Sequence, residues 1–137
     1  MPRSLAEVDS FLYRERVAAF CTVDSEHRPH VVPVFFTYND GKVYVHTDRK
    51  SVKVHNLLTN PNVAVAVYSG DFGEEAVVIR GQARILSDDE FLRRTQEHIY
   101  KNQLRLDEQG RDTLGIPLFD STIRCVIEIT AKRLIFW

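Results

Sequence analysis

Short apolar runs bounded by turn residues recur along this sequence, and their length and spacing are typical of β-strands. Asn39-Asp40-Gly41, between two of these runs, is a strong hairpin signal and predicts that the flanking strands pair antiparallel. The runs predict strands over residues 17–23, 30–38, 42–47, 63–69, 75–86, 123–129 and 133–137. Six or more short strands at hairpin spacing indicate a mainly β protein with flanking helices, built around an antiparallel barrel.

Helical patterns are few. Ser4-Leu5-Ala6-Glu7 fits a capping box that opens an N-terminal helix, and a second capping box starts at Ser87 and predicts a helix to roughly Gln103. A loop is predicted over residues 107–120, and a short helix from about Lys50 to Leu58. So few helices argue against a doubly wound fold, and the sequence has no Gly-x-Gly-x-x-Gly or Walker-type loop.

The second predicted strand contains Pro33, which has no backbone N–H to donate to a neighbouring strand. That part of the strand should therefore lie at an edge of the sheet or carry a bulge. A ligand can take the place beside it.

Composition limits the classes of protein to consider. A chain of 137 residues is predicted to form a single domain, residues 1–137, and 44% hydrophobic with 27% charged residues is ordinary for a soluble protein. The net charge of −1, without a basic stripe, predicts no nucleic-acid partner. No signal peptide and no apolar run of roughly 20 residues are visible, so we expect a cytoplasmic protein without a membrane partner. Cys21 and Cys125 each lie in an apolar run, and neither a disulfide nor a metal site is predicted.

A group of hydroxyls and cations follows the third predicted strand, where the short helix begins. Helix-end amides and charged donors are the groups that bind phosphate best. The alternative is that Asp48 or Ser51 caps a surface helix and that the cations are solvated, and spacing alone favours this alternative. The candidate side chains are Thr47, Arg49, Lys50, Ser51 and Lys53.

Four segments in this order resemble the flavin-binding split-barrel family related to pyridoxamine 5'-phosphate oxidase. They are His30–Thr47, Ser51-x-Lys53-x-x-Asn56-Leu57, Asn60–Val67 and Ala76–Arg84. The resemblance implies a six-stranded antiparallel split barrel that forms a homodimer, with FMN bound in a groove at the dimer interface.

The resemblance also implies which residues bind the cofactor. The backbone of the Pro33 strand would run beside the isoalloxazine ring, His46 and Thr47 would close on the ring edge and the phosphate, and Ser51 and Lys53 would bind the phosphate. The family's Ser-Arg-Lys turn reads Ser51-Val52-Lys53 here, so one cation is missing and Arg49 or Lys50 is expected to replace it. The residues on the Pro33 strand are Val31, Val32, Pro33, Val34 and Phe35.

Departures from the oxidase pattern bear on the function. Ala76 stands where the oxidases have a glutamine near the ring, and their C-terminal Arg-x-His pattern is absent. We therefore do not predict pyridoxamine phosphate oxidation, and no catalytic residue is assigned. The expected function is that of an FMN-dependent oxidoreductase acting on a small-molecule substrate or electron donor. A deazaflavin-dependent reductase and a non-catalytic flavin or haem binder remain as alternatives.

Overall fold

The structure is a computed structural model that describes residues 4–70, 74–86 and 123–136. The predicted helix after Ser87, the predicted loop over 107–120 and Trp137 lie outside the described residues. Two helices and six strands are described. They are α1 (Leu5–Arg14), β1 (Val17–Val23), β2 (Pro29–Asn39), β3 (Lys42–Asp48), α2 (Val52–Leu57), β4 (Asn62–Ser69), β5 (Glu75–Leu86) and β6 (Arg124–Phe136).

The six strands form a closed barrel in the order β1-β2-β3-β6-β5-β4. All six strand pairs are antiparallel. The predicted fold class, a mainly β antiparallel split barrel with flanking helices, is confirmed.

Every second residue of β1, β3 and β4 is buried in the barrel interior, whereas β6 is buried without interruption from Cys125 to Ile129. Phe20, Phe36 and Ile127 are fully buried there, as expected when one face of a strand points into a core. Helix α1 adds Phe11 from outside the strands. Its predicted cap is confirmed, because the Ser4 hydroxyl accepts a hydrogen bond from the backbone N–H of Glu7 at 3.2 Å. Each of these large side chains contributes about 1.5–3 kcal/mol when fully buried.

The C-terminal part of the barrel differs from the prediction. We predicted separate strands over 123–129 and 133–137, whereas β6 is one strand from Arg124 to Phe136. Its pairing with β5 shifts by one residue: Arg80 faces Arg133 and Gly81 faces Ala131, so Lys132 is the extra residue of a bulge. The bulge at Lys132 lies in the interval between the two predicted strands.

Helix α2 is shorter than predicted and begins at Val52 instead of near Lys50. The preceding residues form a turn held by Asp48, whose Oδ1 accepts from the Lys50 N–H at 2.9 Å and whose carbonyl accepts from the Ser51 N–H at 3.1 Å. Ser51 occupies the N-cap position, but its side chain makes no capping hydrogen bond. The Ser51 hydroxyl is therefore not used to stabilise the helix.

Candidate functional site

Strand β2 separates from β3 halfway along its length. Residues 29–35 of β2 pair with β1, but only residues 36–39 pair with β3. In the described part of the chain, residues 29–35 thus have a strand neighbour on one side only. Pro33 lies in this segment, so the predicted edge position is confirmed.

The open side of β2 presents backbone hydrogen-bonding groups. The Phe36 N–H donates to the Arg16 carbonyl at 3.0 Å, so Phe36 directs its backbone groups toward β1. Backbone direction alternates along an antiparallel strand, so Val31, Pro33 and Phe35 direct theirs toward the open side. That side offers the N–H groups of Val31 and Phe35, together with three carbonyl oxygens, to a ligand.

The side chains of the same residues divide between the core and the outer surface. Val31 and Phe35 are 60% and 46% exposed, and Pro33 is exposed between them. Val32 and Val34 point inward and pack against the core. The resemblance implied a role for all five, but Val32 and Val34 point their side chains into the core and direct their backbone groups toward β1. Val31, Pro33 and Phe35 are therefore the residues of this segment that can contact a ligand on the open side.

At the end of β3, two predicted hydroxyls lie together. Thr47 is buried, and its Oγ1 donates to Ser51 Oγ at 3.3 Å. The turn held by Asp48 brings Ser51 back beside the strand end. The hydroxyl pair marks the place where the sequence predicted a phosphate.

His46, next along β3, has two buried ring nitrogens without a hydrogen-bond partner. Burial lowers the pKa of His46 to about 3, and the charge of Arg124 contributes to this lowering. The imidazole is therefore neutral near pH 7. Unpartnered buried polar atoms are rare and costly, and they are a common mark of a position where a ligand binds.

The predicted cations are not equivalent. Lys53 is half-buried, and burial lowers its pKa, with a further lowering from the charge of Arg124. Lys50 is exposed, while Arg49 is half-buried and its backbone N–H donates to the Ile123 carbonyl at 2.8 Å. The charged form of Lys53 is therefore destabilised in the protein alone, and an anion bound beside it would stabilise that form.

Arg124 was not predicted as a site residue. It faces Asp48 in the pairing of β3 with β6, and its Nε is buried without a hydrogen-bond partner. Its position in the apolar run of β6 gave no signal of function. Only the strand register, which joins residues more than 70 positions apart, brings it to the phosphate candidates.

These residues fit a phosphate-bearing flavin. Unpartnered nitrogens of His46 and Arg124, the hydroxyls of Thr47 and Ser51 and the ammonium of Lys53 all suit an anion at the end of β3. An apolar ring suits the exposed side chains and open backbone of β2, because flavins need a dry wall with a few donors.

The family model for pyridoxamine 5'-phosphate oxidase matches residues 4–137. The chain belongs to the pyridoxamine 5'-phosphate oxidase family. No curated protein matches its sequence. The split barrel of this family is the fold described above, so family membership and structure agree.

Solved structures of similar fold cover nearly all of this member of the pyridoxamine 5'-phosphate oxidase family. The conserved hypothetical protein Rv2991 from Mycobacterium tuberculosis has a TM-score of 0.82 and 24% identity, covering 100% of this chain and 86% of its own. An F420 reductase has a TM-score of 0.73 and 21% identity, covering 98% of each chain. The haem storage protein HutZ from Vibrio cholerae has a TM-score of 0.75 and 16% identity, covering 98% and 94%. At these identities the likeness shows the fold.

Two further observations complete the description of this family member. None of the helices in the described part of the chain has the length and apolar character that crossing a bilayer requires. Among residues 4–70, 74–86 and 123–136, no three metal-ligating side chains are grouped as a metal site, and both cysteines are free thiols.

Proposed function

We propose that this protein binds FMN and acts as an oxidoreductase on a small-molecule substrate or electron donor. The observation that carries the proposal is the pair of unpartnered buried groups, His46 and Arg124, beside Lys53 at the end of β3. Buried donors and a repelled lysine are unfavourable in the protein alone and become favourable when an anion binds. Membership of the pyridoxamine 5'-phosphate oxidase family supports a flavin as that anion.

The proposed roles follow the geometry of the site. The open side of β2 would contact the isoalloxazine ring through the backbone of Val31 and Phe35, while Lys53, Ser51 and Thr47 would bind the phosphate. The chemistry that FMN would supply when held by these residues is hydride and electron transfer. The chain's own contribution is then to bind, orient and shield the ring.

We propose that the protein is a homodimer with the cofactor at the interface. Val17 and Phe35 face each other across β1 and β2 and are 51% and 46% exposed. Tyr68, 60% exposed, extends this apolar row onto β4, two residues beyond Ala66, which pairs with β1. An apolar row across three neighbouring strands is typical of a surface that a partner covers.

The dimer proposal is tested by light scattering after gel filtration. Val17→Asp should convert a dimer into a monomer, because it places a charge in the middle of the apolar row. The matched variant Leu58→Asp changes a residue that is 71% exposed on the α2 side and should leave the mass unchanged. A monomeric wild-type protein would refute the proposal.

A deazaflavin is the second candidate cofactor. The observation in its favour is the number of cations near the site, since Arg49 and Arg124 accompany Lys53 and a longer anionic tail would use more than one. The similarity to an F420 reductase supports it. A neutral, buried His46 is also a suitable haem ligand, and the similarity to HutZ supports a non-catalytic haem binder.

The deciding experiment is the absorption spectrum of the purified protein before and after adding FMN, with mass spectrometry of the released ligand. A two-banded flavin spectrum and released FMN are expected, followed by screening of NADH and NADPH as reductants. Lys53→Ala should weaken FMN binding without loss of fold. No bound flavin and no uptake of FMN would refute the FMN proposal, and parallel titrations with deazaflavin and haemin identify which alternative holds.

A further inference from the structure

The proposed phosphate turn reads Ser51-Val52-Lys53, without the arginine of the family's Ser-Arg-Lys turn. Lys50 is exposed, and its backbone N–H is bound to Asp48. Arg49 takes part in an interaction of its own within the protein. A cation on another element is a further candidate for the missing charge.

Arg124 meets the requirement from the opposite strand. In the pairing of β3 with β6, Cys125 faces Thr47 and Arg124 faces Asp48, so Arg124 stands one position beyond the proposed phosphate hydroxyl. The charges of Arg49, Arg124 and Lys53 all act on the buried Cys125 thiol, so these three cations lie near that strand position. The guanidinium and the ammonium thus approach the end of β3 from β6 and from α2.

The guanidinium of Arg124 has a hydrogen-bond donor that the described residues do not satisfy. Its Nε is buried and unpartnered, and in the described part of the chain Arg124 forms no ion pair. Asp48, which faces it, instead accepts a hydrogen bond from the Lys50 N–H. Two half-buried cations side by side repel each other, and an anion between them removes both the repulsion and the unmet hydrogen bond.

We propose that Arg124 binds the phosphate of the cofactor together with Lys53 and supplies the cation that the turn lacks. This inference rests on the proposed function, because the phosphate it names is that of a flavin cofactor. The planar guanidinium offers parallel N–H donors that match two oxygens of one phosphate, which lysine cannot do. The phosphate would then be held from two elements of the barrel, α2 and β6.

The test compares FMN with riboflavin, which has the same ring but no phosphate. Dissociation constants are measured by quenching of flavin fluorescence for the wild type, Arg124→Gln, Arg124→Lys and the control Arg133→Gln. Arg133 is an exposed arginine of the same strand at the bulge, away from the β3 end. Circular dichroism checks that each variant is folded.

Arg124→Gln should weaken FMN binding by roughly 10- to 100-fold, the range expected for a lost charge-assisted hydrogen bond, and leave riboflavin binding unchanged. Arg124→Lys should recover only part of the FMN affinity, and Arg133→Gln should bind both flavins as the wild type does. An equal loss for FMN and riboflavin, or no loss for FMN, would overturn the assignment of Arg124.

Failure of the proposed function is recognised separately. If the wild type binds neither flavin, the FMN proposal fails, and the anion site is tested by the thermal shift that inorganic phosphate produces. A shift present in the wild type and Arg133→Gln but lost in Arg124→Gln supports the Arg124 and Lys53 anion site. Absence of any phosphate-dependent shift overturns that site as well.

Discussion

Replacing His46 by glutamine is expected to make the fold less sensitive to acid. The pKa of His46 is lowered from 6.5 to about 3 because its ring is buried and Arg124 lies nearby. In the unfolded chain the imidazole is protonated as the pH falls below about 6.5, whereas in the folded protein it stays neutral until about pH 3. Between these values the unfolded state binds the extra proton, so the free energy of unfolding decreases as the pH decreases. Above about pH 6.5 the residue is neutral in both states and has no effect on this slope.

The size of the effect follows from the two pKa values. One pKa unit corresponds to about 1.4 kcal/mol, so lowering the pH from about 7.5 to about 5 removes roughly 2 kcal/mol of stability through this residue alone. Glutamine cannot be protonated in this range. The His46→Gln variant should therefore lose roughly 2 kcal/mol less than the wild type over the same interval.

Urea denaturation followed by circular dichroism at several pH values measures this difference. Phosphate is left out of the buffers because the site is proposed to bind it. The control is His55→Gln, which makes the same substitution at an exposed histidine of α2. Equal slopes for wild type and His46→Gln would show that the imidazole titrates as in water, and the argument for a buried neutral His46 would fail.

Three further changes test the energetics of the barrel. Glu128→Gln should lower the free energy of unfolding by about 1 kcal/mol near pH 7, because the buried carboxylate accepts a hydrogen bond from Arg84 Nε at 2.7 Å. The pKa of Glu128 lies below its usual value, so the stabilities of wild type and variant in urea denaturation should converge as acid protonates the carboxyl group. Gly81→Ala should cost about 1–3 kcal/mol in the same assay, since its Cβ would lie 2.1 Å from a backbone oxygen of β6, and an unchanged midpoint would refute the close approach at the bulge. Ser4→Ala should lower the thermal midpoint through a loss of about 1 kcal/mol from the α1 cap, whereas Ser10→Ala, exposed within the helix, should not.

Much of the fold was predictable because its signals are local. The bounds predicted for β1 and β5 agree with the structure, since apolar runs ended by turn residues mark where a strand begins and ends. Asn39-Asp40-Gly41 correctly joined β2 to β3, where Asp40 and Gly41 adopt the positive φ that such a turn requires. Strand bounds and turns, which depend on residues close together in the sequence, were predicted well.

Features that depend on distant residues were predicted poorly. The bulge at Lys132 exists because of the way β6 pairs with β5, so a single strand was read as two. The burial of His46 is equally a property of the folded barrel, because neighbouring residues in sequence do not reveal what covers a side chain. The pattern of apolar and polar residues alone predicts neither the bulge nor the burial of His46.

The candidate site combines both kinds of information, and this explains which part of it was predicted. Pro33 has no backbone N–H and therefore predicts an open side of β2 from the sequence alone. The surface proposed to contact the flavin ring was located in this way. The proposed phosphate end is assembled by strand register, which brings Arg124 to residues near position 48. The turn itself, Ser51-Val52-Lys53, has one cation fewer than the family's Ser-Arg-Lys pattern. The barrel brings Arg124 to Asp48 from another strand, and for this reason we expect no weaker phosphate binding from the loss in the turn.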